Sequence, residues 1–468
     1  MKNILSVILL CIAFASHSQN GSYAIKNVSV ITMTSPTAVA DQTVLIEKNK
    51  ITRIGKASQV SIPSGFEVID GTGKFLMPGL FDMHTHFFSD QGEPYDTYKD
   101  ELKLMVVNGI TTARLMTGHS SYFGLRKDIR DGKLDGPELF IASPQLAGRW
   151  PFPVEYKNFE LVLTPKQGAA AVKKYKAEGY DAIKITFEVK PDVYKAITKT
   201  AKAENIKVAG HVGPFVKLPA ALAAGQQVEH MDQFIEMLLP DTSYNHGQSI
   251  SDYNLYSQKA WATLPHLDES KIPALARDVK KAGIYVTPTN YFMVSCFGAL
   301  PSDETVKAMP DYQFIPPGMK EDKWKARKRY QSRIAPAESL EKFVRIRRSL
   351  VKELWETGVP IMAGSDSPEY FIMQGFALHD ELKELAAAGL TNYEVLQTAT
   401  VIPARYLGLS SSTGTIEKGK EADLLLLDKN PLTDINNTRI ISGVMENGKW
   451  YDAATLGRLR SEAAALGK

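Results

Sequence analysis

The sequence predicts an α/β chain in which a (β/α)8 TIM barrel carries a small β-sandwich module built from both chain ends. Two observations carry this. Across residues 78–407, apolar strand candidates alternate with segments of helical periodicity, and eight strands each followed by a crossover close naturally into a barrel. On either side, residues 21–77 and 409–468 read as short strands broken by Gly, Asn, Asp and Pro turns, so the two ends are expected to pair as one composite module bracketing the barrel at 78–408.

In chain order, Met1-Lys2-Asn3 is a short basic start, residues 4–15 are apolar, and Ser16, Ser18 and Gln19 follow. This is the layout of a secretory signal peptide over residues 1–20, too short to span a bilayer, and it predicts a secreted or periplasmic mature chain without a transmembrane anchor. Cleavage near Gln19 removes Cys11 and leaves Cys296 alone, so no intrachain disulfide is expected, and Cys296 reads as a small buried hydrophobe. Residues 24–32, 43–46, 50–55 and 67–70 alternate apolar and polar side chains, as do 415–419, 422–428 and 444–450 near the far end. The barrel strands are expected at 79–83, 110–116, 139–142, 182–186, 208–211, 227–230, 284–289 and 359–363, with helices at 168–178, 192–205, 269–282 and 340–356 among the connections. Residues 300–336 break the alternation with Pro301, Pro310, Pro316, Pro317 and Pro336 and a run of basic residues interleaved with Glu321 and Asp322, which reads as an insertion with a solvated face.

A net charge of +3 is too weak a field to argue for nucleic acid or an anionic membrane as the partner. A hydrophobic content of 44% with 23% charged residues excludes a disordered or multispanning chain; the expected partner, a small-molecule substrate, comes from the strand-end residues instead.

In a barrel, reacting groups sit at the carboxy-terminal ends of the strands. The first strand runs into Asp82-Met83-His84-Thr85-His86, and the i, i+2 spacing turns both imidazoles to one side of an extended chain. Other strand ends supply Lys184 within Ile183-Lys184-Ile185, His211 after Ala209-Gly210, His230 after Val228-Glu229, and Asp366 after Gly364-Ser365. Taken singly, each has an ordinary structural reading: a hydrogen-bonded histidine, a paired lysine, a helix-capping aspartate. Together, at matching strand ends, they point to a metal centre on one rim.

The residues also carry a resemblance. Ile69-Asp70-Gly71-Thr72-Gly73-Lys74, Met77-Pro78-Gly79-Leu80-Phe81-Asp82-Met83-His84-Thr85-His86, Gly109-Ile110-Thr111-Thr112-Ala113-Arg114, Tyr180-Asp181-Ala182-Ile183-Lys184, Val228-Glu229-His230, Gly364-Ser365-Asp366 and the segment from Gly414 to Leu424 resemble the metal-dependent amidohydrolase superfamily, in its imidazolonepropionase-like and prolidase-related branch. The resemblance implies a binuclear site in which His84, His86 and Asp366 hold one divalent ion, His211 and His230 hold the other, and a carboxylated Lys184 bridges them. A lysine ammonium has donors only, whereas a carbamate offers two anionic oxygens. Zinc is the default for such ligands, with manganese and iron compatible. By the same resemblance, a bridging hydroxide attacks a carbonyl while Asp366, the catalytic acid/base, moves the proton to the leaving nitrogen.

Where the chain departs from these relatives, the substrate is put in question: Arg114 precedes Leu115 instead of Asp, residues 143–150 lack a Gly-Gly-His stretch, and His211 is followed by Val212-Gly213-Pro214. Arg114, His119, Arg149, Asn290 and Tyr291 lie after barrel strands and are the candidates for substrate contact. The expected function is that of an exported metal-dependent amidohydrolase cleaving the amide bond of a peptide or N-acyl amino acid. Esters, lactones or cyclic amides on the same metals are the enzymatic alternative. A catalytically silent binding protein of the same fold is the other, opposed by the retained ligand set, which a scaffold has no reason to bury. The oligomeric state is left open, a homo-oligomer included.

Overall fold

The structure is a computed structural model that describes residues 21–88, 98–148, 158–186, 188–240, 264–295, 301–331, 337–369 and 371–467. The expected signal segment, Arg149 and Cys296 lie outside the described residues.

The two chain ends share one hydrogen-bonded sheet. Its amino-terminal strands are β1 (Ser22–Val30), β2 (Val39–Glu47), β3 (Lys50–Lys56), β4 (Glu67–Asp70) and β5 (Phe75–Pro78). The next strands in the chain are β6 (Leu80–Thr85), β7 (Ile110–Leu115), β8 (Glu138–Ile141), β9 (Gln145–Ala147), β10 (Phe159–Leu161), β11 (Ala182–Ile185), β12 (Lys207–Gly210), β13 (Gln227–Glu229) and β14 (Val286–Thr287), followed by β15 (Leu424–Leu427), β16 (Ile441–Glu446) and β17 (Lys449–Asp452). The terminal sheet runs β17-β16-β15-β5-β1-β2-β3, with β4 paired to β1. The joint between the two ends is the antiparallel β15–β5 ladder, Leu424 opposite Pro78 through Leu427 opposite Phe75. Ile25, Val28, Val30, Val44, Ile46 and Ile51 of the amino end pack with Leu424, Leu426 and Met445 of the carboxyl end in one buried cluster.

The central strands pair in parallel, β6-β7-β8 in one sheet and β10-β9-β11-β12-β13-β14 in another. A parallel bridge from Ala142 to Ala182 links the two sheets, and another joins Val286 to Ile361. Every residue of β6, β7 and β11 is buried, as strands covered on both faces must be, and Asp82, His84, Arg114 and Lys184 among them are buried with the rest. The expected helices are Pro165–Glu178, before β11, and Pro191–Ala203, Ile272–Ala282 and Ala337–Glu356, after it. The first of these opens on a capping box between Thr164 and Gln167.

Two expected strands shrink. Residues 359–363 form no ladder strand and pair only at Ile361, because Pro360 has no N–H to give; its carbonyl accepts from the Val286 N–H at 3.1 Å. The strand expected at 284–289 is reduced to Val286–Thr287, since Pro288 follows and Thr289 turns to φ +42°. The segment after Ile361 nonetheless lies against β6, where the Met83 N–H donates to the Ala363 carbonyl at 3.0 Å and the Asp366 N–H to the His84 carbonyl at 2.7 Å. The proline-rich insertion holds the helices Asp303–Lys307 and Pro317–Gln331. It is anchored by Trp324, whose indole N–H donates to the Tyr312 hydroxyl at 3.0 Å and whose ring lies 4.6 Å from that of Phe371.

Candidate metal centre

The site begins with the alternation of β6, which puts Asp82, His84 and His86 on one face. Asp82 works from below: its carboxylate accepts from the Ser365 N–H at 3.0 Å, the Ser365 hydroxyl at 2.6 Å and the His84 N–H at 3.2 Å, pinning the turn that carries Asp366 against the strand. Gly364 permits that approach, since a Cβ there would sit 2.9 Å from the His84 nitrogen. Asp366 itself holds φ at +53°.

His84 and His86 each place Nε2 at 3.4 Å from Asp366 Oδ1, and the ligand atoms of these three residues all lie within 4.8 Å of one another. Their other nitrogens are engaged behind. His84 Nδ1 is 2.8 Å from Glu229 Oε2, so the acceptor carboxylate keeps the proton on Nδ1 and leaves the Nε2 lone pair facing Asp366. His86 Nδ1 meets the Thr117 hydroxyl at 2.9 Å, and the Gln145 amide donates to that hydroxyl at 2.8 Å.

His211 and His230 continue the row. Their rings stack at 4.7 Å, and the His230 ring is 4.6 Å from that of His84. His211 Nδ1 is held at 2.8 Å by Asp232, while His230 Nδ1 lies 2.8 Å from the Thr289 hydroxyl and 3.5 Å from Asp366 Oδ2. Burial drives the imidazole pKa of His84 well down and that of His230 to about 3, which keeps both rings neutral and their lone pairs available. Burial pushes the Asp366 carboxyl up, but His230, the hydrogen bond from His86 and Lys184 outweigh it and bring the group to about 2. Lys184, 1% exposed, has its amine pKa lowered by burial against the opposing pull of Glu229 and Asp366.

The remaining sequence candidates sit elsewhere. Arg114 is 2% exposed and bound on every side: it donates to the Met83 carbonyl at 2.6 Å, Glu229 at 2.8 Å, and the Thr287 and Tyr406 hydroxyls at 3.3 Å each. Burial would lower its pKa, but Glu229 and Tyr406 hold the guanidinium above its ordinary value. It therefore braces Glu229 from behind the ligands instead of reaching a substrate. Asn290 is equally enclosed, donating to Glu384 at 3.1 Å and accepting from Arg347 at 2.9 Å. The Tyr291 N–H donates to Glu381 at 2.6 Å and its ring packs on the core. His119 pairs with Ser121 at 2.9 Å within its own turn.

Sequence reasoning passed over Asp82, Thr117, Gln145, Glu229, Asp232 and Thr289 as working residues. Asp82 was findable, two residues before His84 on the same strand face. Of the others, Thr117, Glu229, Asp232 and Thr289 each hold an imidazole Nδ1 and Gln145 holds Thr117, and no local pattern marks them.

The family model for the amidohydrolase family matches residues 75–451. A solved structure of a bottromycin amidohydrolase superposes with a TM-score of 0.70 at 20% identity, covering 97% of this chain and 91% of that one. A Xaa-Pro dipeptidase with methionine bound in its active site gives 0.64 at 20%, covering 92% and 100%. At these identities the likeness is one of fold. Among curated proteins, a dihydroorotase from Bacillus pumilus is 23% identical over 310 residues, 63% of this chain and 65% of its own length. An imidazolonepropionase from Idiomarina loihiensis is 43% identical over 65 residues, 13% of this chain and 16% of its own. The chain thus spans less than two thirds of the length of the curated relatives it matches.

Proposed function

The chain belongs to the amidohydrolase family, and from that premise we propose that it is an exported metal-dependent hydrolase cleaving the amide bond of a peptide or N-acyl amino acid. The observation that carries the reading is the meeting of His84, His86 and Asp366 within 4.8 Å, beside the stacked His211 and His230. Imidazoles each held through Nδ1 by a hydrogen-bond partner, His84 and His230 of them driven neutral by burial, and an ionised carboxylate form a donor set suited to divalent ions of the zinc class. Such ions, when bound, supply Lewis acidity toward a carbonyl and acidify water near neutral pH.

The protein's own part follows from the geometry. Glu229, Thr117, Asp232 and Thr289 fix the four imidazoles through Nδ1 contacts of 2.8–2.9 Å. Asp366, ionised at any working pH, accepts the proton of the attacking water and returns it to the leaving nitrogen. Lys184, its amine driven toward the neutral form by burial, is the nucleophile for carbon dioxide: its nitrogen bonds the carbon, a proton leaves to solvent, and the resulting carbamate carries two anionic oxygens into the site.

The bridges at Ala142–Ala182 and Val286–Ile361 support one closed (β/α)8 barrel over 78–408, and the shared cluster around Ile25 and Leu424 supports a sandwich-like module formed by 21–77 and 409–468. The composition of residues 1–20 supports export, with a secreted or periplasmic destination for the mature chain.

Protein purified without chelator is to be analysed for metal and screened against dipeptides, N-acyl amino acids, lactones and esters. The expected result is about two divalent ions per chain and turnover of an amide. One ion with full activity makes the centre mononuclear, turnover of lactones alone moves the reaction to cyclic esters, and no metal with no turnover refutes the enzyme.

A further inference from the structure

At the end of the barrel strands opposite the metal centre, the start of β7 and the start of β8 face the terminal sheet across a cleft of about 290 Å³. Four carboxylates line it, those of Glu138, Glu421, Asp423 and Glu446. Two are answered. Glu138 accepts from Arg130 Nε at 2.9 and 3.0 Å, and Glu421 lies 3.2 Å from Lys50 Nζ. Asp423 and Glu446 have no ion-pair partner among the described residues, and Glu446 is only 5% exposed.

An independent observation sits on the same wall. The Thr111 hydroxyl, on a residue 1% exposed, has no hydrogen-bond partner among the described residues, nor does the buried Asn49 Oδ1, and both residues line the cleft. Buried polar atoms in folded proteins are paired, so the orphaned Thr111 hydroxyl and Asn49 Oδ1, beside two carboxylates without an ion-pair partner of which Asp423 accepts from the Asn447 N–H at 3.3 Å, describe a site short of a donor that is also a cation.

The spacing selects the kind of cation. Among the described residues the acidic and imidazole groups that gather as a candidate metal trio are His84, His86 and Asp366, and the carboxylates of the cleft form no such trio. An alkylammonium group brings three N–H donors and a carbon stem to fill the space between carboxylates. We infer that this cleft binds a small organic cation, a primary amine or diamine, held by Asp423, Glu446, Thr111 and Asn49, which ties the terminal sheet to the barrel. The two sides are separate in sequence, Thr111 belonging to β7, Asp423 standing just before β15 and Glu446 ending β16, so a ligand between them stabilises the folded chain by mass action.

The test is thermal unfolding of the full chain titrated with putrescine at constant ionic strength, with 1,4-butanediol and calcium chloride as parallel arms, and calorimetric titration of putrescine at 25 °C. Putrescine is expected to raise Tm saturably and butanediol to leave it unchanged. Glu446→Gln keeps the size and removes the charge, and should move the putrescine midpoint at least tenfold higher. Thr111→Val removes an unpartnered hydroxyl, so the ligand-free Tm should hold or rise while the response to putrescine weakens; it carries the test should Glu446→Gln not fold. The inference is overturned if putrescine gives no saturable shift, if both variants respond as the parent does, or if calcium gives the saturable shift and putrescine does not.

Discussion

Replacing Glu229 with glutamine isolates the support beneath the ligands without touching one. In the native site one carboxylate oxygen lies 2.8 Å from His84 Nδ1 and the other 2.8 Å from Arg114 Nη2, with His84 and Arg114 1% and 2% exposed. Glutamine keeps the volume but has one acceptor oxygen, so its amide N–H group must face either the His84 N–H or the guanidinium, donor against donor. Facing His84, it drives the ring proton from Nδ1 to Nε2, the nitrogen aimed at Asp366. Facing Arg114, it leaves a buried charge with no counter-charge. Breaking a buried pair from one side costs about 3–5 kcal/mol, and loss of a ligand-orienting partner costs about 10–100-fold in metal affinity, roughly 1.4–2.7 kcal/mol. Chelator competition reads the affinity and thermal unfolding of the metal-free chain reads the stability. A Glu229→Gln protein with Tm unchanged and affinity within twofold of the parent would refute the assignment of Glu229 as the group that orients His84.

Asp366→Asn is expected to retain the fold and lower kcat on amides by on the order of 10³, the range of a positioned acid/base plus a lost anion, while activated esters, whose leaving groups need no proton, lose less; equal losses below about tenfold on both substrates would leave Asp366 a ligand only. Lys184→Ala should lose metal and activity together and recover part of both in acetate or propionate, because a free carboxylate can occupy the gap; full activity in the variant would make this lysine structural. Glu236 is 2% exposed, neither of its carboxylate oxygens has a partner among the described residues, and burial lifts its pKa to about 8 from the ordinary 4.5. The folded state thus binds this proton more tightly than the unfolded one: its stability is full below pH 4.5 and erodes by about 1.4 kcal/mol per pH unit until the folded group titrates near 8. Glu236→Gln should therefore raise Tm at pH 8 to 9 and change it little at pH 4.5, and parallel Tm–pH curves for the two proteins would refute the assignment.

What the sequence determined by itself is what depends on near neighbours along the chain. The period-two spacing of His84 and His86 puts both rings on one face of any extended strand, and the strand and helix alternation between 78 and 407 follows from side-chain periodicity alone. His211 and His230 were legible because each stands where an apolar strand runs out, and Asp366 because it closes the apolar run that ends at Ala363. The expected strand at 359–363 failed because apolar character was read without giving Pro360 its full weight as a missing donor. The tertiary structure alone decided which groups answer one another. The His84–Glu229 bond spans 145 residues and the Arg114–Glu229 bond 115, so neither partner could be chosen until parallel pairing brought β6, β7 and β13 to one interior. It also decided which way a side chain turns. Arg114 and Asn290 carry polar groups after barrel strands, as substrate contacts do, yet strand packing encloses both and gives their donors to internal acceptors. Burial is a property of the assembled layers, and it drives His84 neutral and leaves the Thr111 hydroxyl and the Glu236 carboxylate without hydrogen-bond partners among the described residues. Local spacing set which residue types meet around Asp366; only the folding of distant strands against one another set their protonation and their partners.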